Sequence, residues 1–255
     1  MTNAHPERVH PTAAVGFDRN ATEYERARPG YPLEVLSVLT RSLGLQPGAR
    51  VCDLAAGTGK LTRLLVNGDF DLVAVEPVEG MRQQLAEVLP DIEVLDGTAE
   101  VLPFGAETLD AVTVAQAFHW FRFDEALAEI KRVLRRGGGL AIAFNRRDEH
   151  TASWVAAWSE IIDWHKRTVS SYQRTDWKAV LEGGGFGEYG SIEIPWVQPM
   201  TRSLLADRVR SISYIALMEP AEQQDKIDQV LALVEDFDEP FDLPYVTQLW
   251  WARKP

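Results

Sequence analysis

Val51-Cys52-Asp53-Leu54-Ala55-Ala56-Gly57-Thr58-Gly59-Lys60 is the stretch whose reading decides the fold. A short apolar run ends in an acidic residue, two small residues follow, and Gly-Thr-Gly leads into Leu61-Thr62-Arg63-Leu64-Leu65 at helical spacing. This pattern predicts a buried strand, a tight glycine turn and a helix, the opening βα unit of a nucleotide-binding α/β fold. Glycines permit positive φ and let the backbone pass close to a ligand. The helix that follows presents unpaired N–H groups at its start.

Three kinds of glycine loop compete for this stretch. A phosphate-binding P-loop requires G-x-x-x-x-G-K-[ST], but Leu54 stands at the first Gly position and Leu61 follows Lys60. A dinucleotide loop requires G-x-G-x-x-G; Gly57 and Gly59 fit, and Thr62 takes the third position. The remaining pattern is D-x-x-x-G-x-G, with the acidic residue first.

Working outward, a second strand is expected over Asp71-Leu72-Val73-Ala74-Val75, ending in Glu76-Pro77. Glu76 lies 23 residues after Asp53, close to the ~20-residue offset at which an acidic side chain accepts ribose hydroxyls in such units. Pro77 removes the donor that would continue the strand, and Gly80-Met81 opens a helix. A third strand is expected over residues 92–95, a fourth over 109–115 and a fifth over 140–144, after the Arg135-Arg136-Gly137-Gly138-Gly139 turn. Asp124 reads as the cap of the helix between the last two. In open parallel sheets ligands bind beyond the carboxyl ends of the strands, which puts Gln116-Ala117-Phe118-His119-Trp120-Phe121 at the reaction end.

Before the first strand, Pro29 ends a short helix, Pro32 occupies the first position of the next over residues 33–43, and Gly44 closes it. After Asn145, residues 148–187 carry Trp154, Trp158, Trp164 and Trp177 on helical stretches. These tryptophans form either an aromatic acceptor pocket or the segment's own core. A sixth strand over 191–197, helices from 201 to 237 broken near Pro220, and a last strand over 245–251 complete the chain.

The D-x-x-x-G-x-G loop resembles motif I of the class I S-adenosylmethionine (SAM)-dependent methyltransferases. The strings Tyr-Glu-Arg-Ala-Arg-Pro-Gly-Tyr-Pro at 24–32 and Gln-Ala-Phe-His-Trp-Phe at 116–121 resemble one group of these, the small-molecule enzymes similar to trans-aconitate methyltransferases. The resemblance covers residues 17–147 well and 188–255 loosely. It implies a Rossmann-like seven-stranded α/β sheet, mostly parallel with an antiparallel last strand, helices on both faces and a partly helical lid. The implied organisation is a tail at 1–16, a SAM-binding core at 17–147, a lid at 148–187, and the rest of the sheet with further helices at 188–255.

The resemblance also implies SAM as cofactor and S-adenosylhomocysteine as its product. Asp53, Ala55, Gly57 and Gly59 would form the loop around its methionine portion. Glu76 and Pro77 would lie at the ribose, Met81 on the adenine, and Gln116 at the end of the fourth strand. Tyr24 and Arg28 would lie over the pocket, Arg28 facing the methionine carboxylate, which its fork matches bidentately. Relatives carry Gly-Asp-Ala-Glu-x-Leu-Pro-Phe where this chain reads Gly97-Thr98-Ala99-Glu100-Val101-Leu102-Pro103-Phe104. Thr98 therefore departs from the family's Asp, and contact there falls to its hydroxyl and to the Ala99 amide.

Methyl transfer from a sulfonium is an in-line displacement in which positioning alone supplies ~7–11 kcal/mol. For a hydroxyl or protonated amine acceptor, His119 is the candidate base, with an ordinary pKa near ~6.5. For a carboxylate acceptor no base is needed, and His119 orients the acceptor or packs beside Trp120. Trp120, Phe121, Trp154 and Trp158 are the candidate acceptor wall. Oxygen or carboxyl methylation of a small molecule is the favoured outcome; a SAM-binding protein without transferase activity and a nicotinamide oxidoreductase are the alternatives.

Bulk properties agree. The net charge of −12 and pI near 4.9 argue against nucleic-acid or anionic-membrane partners. Cys52 alone excludes an internal disulfide, and no histidine or cysteine spacing suits a metal. Without a ~20-residue apolar run or a secretory signal pattern, a cytoplasmic monomer or homodimer is expected.

Overall fold

The structure is a computed structural model that describes residues 28–163, 175–212 and 214–255. Its frame is a seven-stranded sheet in the order β3-β2-β1-β4-β5-β7-β6, built from β1 (Arg50–Leu54), β2 (Asp71–Val75), β3 (Glu93–Leu95), β4 (Leu109–Ala115), β5 (Leu134–Arg147), β6 (Gly187–Met200) and β7 (Phe241–Arg253). The β1–β2, β2–β3, β1–β4 and β4–β5 pairs are parallel, and β7 runs antiparallel to both β5 and β6. The chain moves outward from β1 through β2 to β3, then returns to the other side of β1 as β4. The carboxyl ends of β1 and β4 therefore flank the point where strand order reverses, the place where α/β sheets bind ligands.

Period-2 alternation places successive residues of one strand in different layers. Val51, Leu72, Ala111, Ala141 and Ala143 face α1 (Leu33–Ser42) and α2 (Thr62–Leu65) in one buried cluster. Cys52, Leu54, Val73, Val75, Val112, Val114, Ile142 and Phe144 face α4 (Phe123–Val133) and α6 (Trp177–Gly183) in another. Between these layers β1 and β2 are buried on both faces, so they read as continuous apolar runs rather than alternating ones. Helix α3 (Glu79–Val88) follows β2. A third cluster gathers α5 (Ser153–Ile161), α7 (Arg202–Arg210) and α8 (Pro220–Ala232) around Met200, Leu243 and Tyr245 at one end of β6 and β7.

Several local expectations are corrected. Pro32 is the N-cap of α1 rather than its first helical residue, and the helix stops at Ser42, with Gly44 at φ +62° beyond it. Asp124 does not cap α4: the cap position is Arg122, and Asp124 and Glu125 lie in the first turn, where they complement the helix dipole. Strand β5 begins before the glycine turn, with Gly137 at φ +73° and a register shift between Leu109 and Ala111 of its partner. A Cβ on Gly139 would fall 2.5 Å from Leu43 Cδ2, so this glycine is read for close packing rather than as a break.

The sixth strand, expected over 191–197 with Pro195 inside it, forms as a longer β6 that also runs through Pro199, because it is the edge strand and a missing N–H there leaves no ladder bond unmade. The helices expected over residues 201–237 form as α7 and α8, and Pro220 starts the second. The described residues of the segment 148–187 divide between two cores. Its first helix, α5, belongs to the third cluster, whereas Trp177 on α6 is buried against Phe118, Phe123 and Phe144 in the main sheet's core. Trp164 and Tyr24 lie outside the described residues.

Because Trp177 is a core side chain, Trp177→Ala is expected to cost about 3–5 kcal/mol of stability, as large aromatic truncations in cores do. Urea denaturation measures this, and a loss below about 1 kcal/mol would mean α6 is a detachable cover.

Candidate functional site

The turn leaving β1 is tied down by two buried carboxylates. Asp53 is fully buried; its Oδ2 accepts from Thr62 Oγ1 at 2.6 Å and its Oδ1 from Thr113 Oγ1 at 3.0 Å. Asp53 thus joins the end of β1 to the first residue of α2 and to β4. Thr62, the residue that breaks the third glycine position, is the side chain this arrangement needs. Burial raises the Asp53 carboxyl to about 6, opposed by the hydrogen bonds from Thr62 and Thr113.

Glu76 closes the other side. Its Oε2 accepts the Gly57 amide and its Oε1 the Val78 amide, both at 2.9 Å. Burial raises it to about 7, against the two amide bonds and the Arg82 charge. Each carboxylate oxygen offers two lone-pair sites, so both remain able to accept a further donor. Arg82 donates to the Glu76 carbonyl at 2.9 Å and to Asp96 at 3.3 Å.

Between the carboxylates the backbone takes left-handed conformations at Ala55 (φ +53°), Gly57 (φ +59°) and Gly59 (φ +86°). A Cβ at Gly59 would also meet Leu85 Cγ at 3.1 Å, whereas at Gly57 the nearest atom is Met81 Sδ at 3.7 Å. Ala55 holds a conformation that favours glycine. Met81 is buried beside this loop.

Residues from the other strands complete the rim. Thr98 and Ala99 are buried after β3, Thr98 pairing with Val101 in a single bridge. Glu100 accepts the Arg122 amide at 3.1 Å, and Pro77 is half-buried beside Glu76. Gln116 leaves β4 at φ +60°; its amide donates to the Ala143 carbonyl and its side chain to the Asn145 carbonyl at 3.2 Å. His119 sits in a short 3₁₀ turn, Phe118–Trp120, with its ring 4.6 Å from Trp120 and 5.6 Å from Phe144. Trp120 is exposed, and the half-buried Phe121 packs on Phe118.

Two further residues join the N-terminal segment to this edge. Asn145 donates to the Gly30 carbonyl at 2.8 Å and accepts from Thr247 at 2.6 Å. Arg28 donates to the Ser211 carbonyl at 2.7 Å. Trp154 and Trp158 are not at this rim: they stack at 6.2 Å in the third cluster, Trp158 with no exposed surface. For Trp158 the core alternative is the one the geometry takes. Asn145 and Thr113 were not singled out from the sequence, and Thr62 entered only as the mismatch at the third glycine position; an Asn near a strand end or a Thr in an apolar run carries no distinguishing local signal.

The residues present fit SAM. The loop offers left-handed backbone for close approach, and Glu76 offers acceptors to a vicinal diol. Thr58 Oγ1 is a buried hydroxyl without a hydrogen-bond partner, a polar group whose burial is costly until something bonds to it. Among the described residues no group of acidic, histidine or cysteine side chains suits a metal, and no helix is long and apolar enough to cross a membrane.

Residues 52–142 match the family model described as a methyltransferase domain. An uncharacterized methyltransferase of Mycobacterium tuberculosis is 36% identical over 92% of this chain and 93% of its own. An uncharacterized methyltransferase-like protein of Schizosaccharomyces pombe is 31% identical over 83% of this chain and 82% of its own. Among solved structures, a Haemonchus contortus phosphoethanolamine N-methyltransferase in complex with phosphomonomethylethanolamine and S-adenosylhomocysteine matches 96% of this chain and 59% of that one, with a TM-score of 0.59 at 15% identity. At that identity the match speaks for the fold.

The raised carboxyls make a pH prediction. Folded Glu76 binds its proton up to about 7, whereas the unfolded side chain releases it near the ordinary 4.5. Between those values the folded state holds more protons, so stability falls as pH rises through the window. Wild type is expected to gain on the order of 2 kcal/mol relative to Glu76→Gln between pH 8 and pH 5. Urea denaturation across this range checks it, and parallel profiles for the two proteins would contradict it.

Proposed function

The chain belongs to the class I SAM-dependent methyltransferases, and from that premise we propose that it methylates an oxygen of a small-molecule acceptor. The observation that carries the site assignment is the buried Glu76 carboxylate, locked to the glycine loop through the Gly57 amide at the carboxyl end of β2. In this reading Glu76 receives the ribose hydroxyls, and the loop from Ala55 to Gly59 lies along the methionine portion. Met81 packs on the adenine, with Thr98 and Ala99 at its polar edge. Pro77 and Glu100 line the same rim, and Arg28 faces the methionine carboxylate.

When bound, the cofactor supplies an electrophilic methyl group on a positively charged sulfur. The protein has little covalent work left to do and acts by alignment and exclusion of water. Gln116 is fixed by its two bonds to β5, so it marks the end of β4 where the acceptor approaches. His119, held between Trp120 and Phe144, takes the proton from a hydroxyl acceptor or orients an ionised one. Trp120 and Phe121 shape the wall.

Calorimetric titration with SAM, S-adenosylhomocysteine and NAD tests the reading. The first two are expected to bind at micromolar concentration and NAD not at all. Glu76→Gln should weaken both by at least about tenfold, the scale of a charge-assisted hydrogen bond. His119→Ala should leave S-adenosylhomocysteine affinity within about twofold while lowering turnover of a hydroxyl acceptor about 100-fold, as for a lost base. Unchanged affinity in Glu76→Gln would remove the ribose assignment, and unchanged turnover in His119→Ala would reduce His119 to packing.

A further inference from the structure

Asn145 is half-buried near the end of β5, and three of its atoms hold three different segments. Its carbonyl accepts from Gln116 Nε2 at 3.2 Å. Its side-chain oxygen accepts from Thr247 Oγ1 at 2.6 Å, and its Nδ2 donates to the Gly30 carbonyl at 2.8 Å. Asn145 and Thr247 are register partners on β5 and β7. Trp196 lies on β6 two residues past Ile194, the other register partner of Thr247, within the diagonal reach of a long side chain. Its indole N–H donates to Thr247 Oγ1 at 2.9 Å.

The direction of this chain of bonds is fixed by its ends. An indole nitrogen only donates and a peptide carbonyl only accepts. Thr247 Oγ1 therefore receives the Trp196 proton and directs its own to Asn145 Oδ1, which aims Nδ2 at Gly30. Thr247 is fully buried and Trp196 half-buried, so the relay is shielded from competing water. The Asn145 amide cannot turn over without setting its oxygen against the Gly30 carbonyl, an unmade bond between two acceptors.

The tied segment is Arg28-Pro29-Gly30-Tyr31-Pro32, which leads into α1. Its two prolines lack amide donors, and its carbonyls fasten it: Pro32 accepts the Val35 amide at 3.0 Å and Gly30 accepts Asn145. Pro29 is buried, and Tyr31 packs on the same cluster as Ala115, the last residue of β4. Arg28, two residues before Gly30, reaches the Ser211 carbonyl at the end of α7. The segment is thus pinned at the carboxyl edge by the same residue that holds Gln116.

We propose that Asn145 is a positioning residue for the amino-acid end of the cofactor. Through Nδ2 it sets segment 28–32, and with it Arg28, at the height the methionine carboxylate requires. This rests on the cofactor reading above, with Arg28 at that carboxylate. Asn145 acts through the Gly30 peptide rather than by touching the cofactor. A displacement of about 1 Å is enough to spoil such a contact, because hydrogen bonds weaken steeply with distance and angle. The Gln116 tie uses the backbone carbonyl of Asn145, so a side-chain substitution leaves that bond in place and probes segment 28–32 alone.

The test compares two ligands by calorimetry on the full chain. One is S-adenosylhomocysteine; the other is 5′-methylthioadenosine, which keeps the adenine, ribose and sulfur but lacks the amino-acid end. Asn145→Leu, uncharged and similar in size, should weaken S-adenosylhomocysteine about tenfold and leave 5′-methylthioadenosine within about twofold of wild type. Thr247→Val, which frees the amide to turn, should shift the same ratio by a smaller factor. Thr247→Ser, which restores the hydroxyl, should return it to the wild-type value. Glu76→Gln should weaken both ligands, since both carry the ribose. Urea denaturation of each variant separates lost stability from lost positioning. Equal weakening of both ligands in Asn145→Leu, or no change in either, would overturn the proposal while leaving the cofactor site standing. A wild-type chain that binds neither ligand would overturn the cofactor reading, and the proposal with it.

Discussion

The site depends on two carboxylates buried at the ends of adjacent parallel strands. Asp53 and Glu76 lie within a β-sheet covered on both faces, where an ionised group is expensive, and each is held by two donors. Asp53 ties β1, α2 and β4 together, which fixes where the glycine turn begins. Glu76 ties the middle of that turn to the start of the segment leading into α3. The turn, with three residues in left-handed backbone, keeps its shape because both anchors are satisfied. Their carboxyls are held above the ordinary range by burial, so a ligand that donates hydrogen bonds to Glu76 strengthens the ionised form.

The frame of the fold was legible because the burial on both faces of β1, β2 and β4 writes itself as apolar runs punctuated by glycine and acid. Glu76 was legible for the same reason, as an acidic residue closing an apolar run at a fixed offset. Strand ends were not. The sixth strand read as ending at 197, yet β6 is at the sheet edge and continues through Pro199, while the glycines at 137–139 read as a turn and lie within β5. The tryptophans carried no information on their partners: Trp177 and Trp158 look alike in sequence, and one fills the main core while the other fills the layer of α5, α7 and α8.

That added layer links the two halves of the account. Strands β6 and β7 extend beyond the parallel part of the sheet, and their ends carry Met200, Leu243 and Tyr245 into the helical cluster. The same extension brings Tyr245 against Arg208 and sets Thr247 on Asn145. Long-range contacts of this kind, Thr247 with Asn145 or Asn145 with Gly30, have no local pattern and emerge only from topology. They join the end of β5 to elements over 100 residues away in sequence.

The most direct measurement is a crystal structure of the chain with S-adenosylhomocysteine bound, read at one distance. The account predicts both ribose hydroxyls within hydrogen-bonding range of the Glu76 carboxylate, ~2.5–3.0 Å, with the Gly57 amide still on Oε2 and the loop unmoved. A ribose bound elsewhere, with Glu76 facing only its two backbone amides, would contradict it.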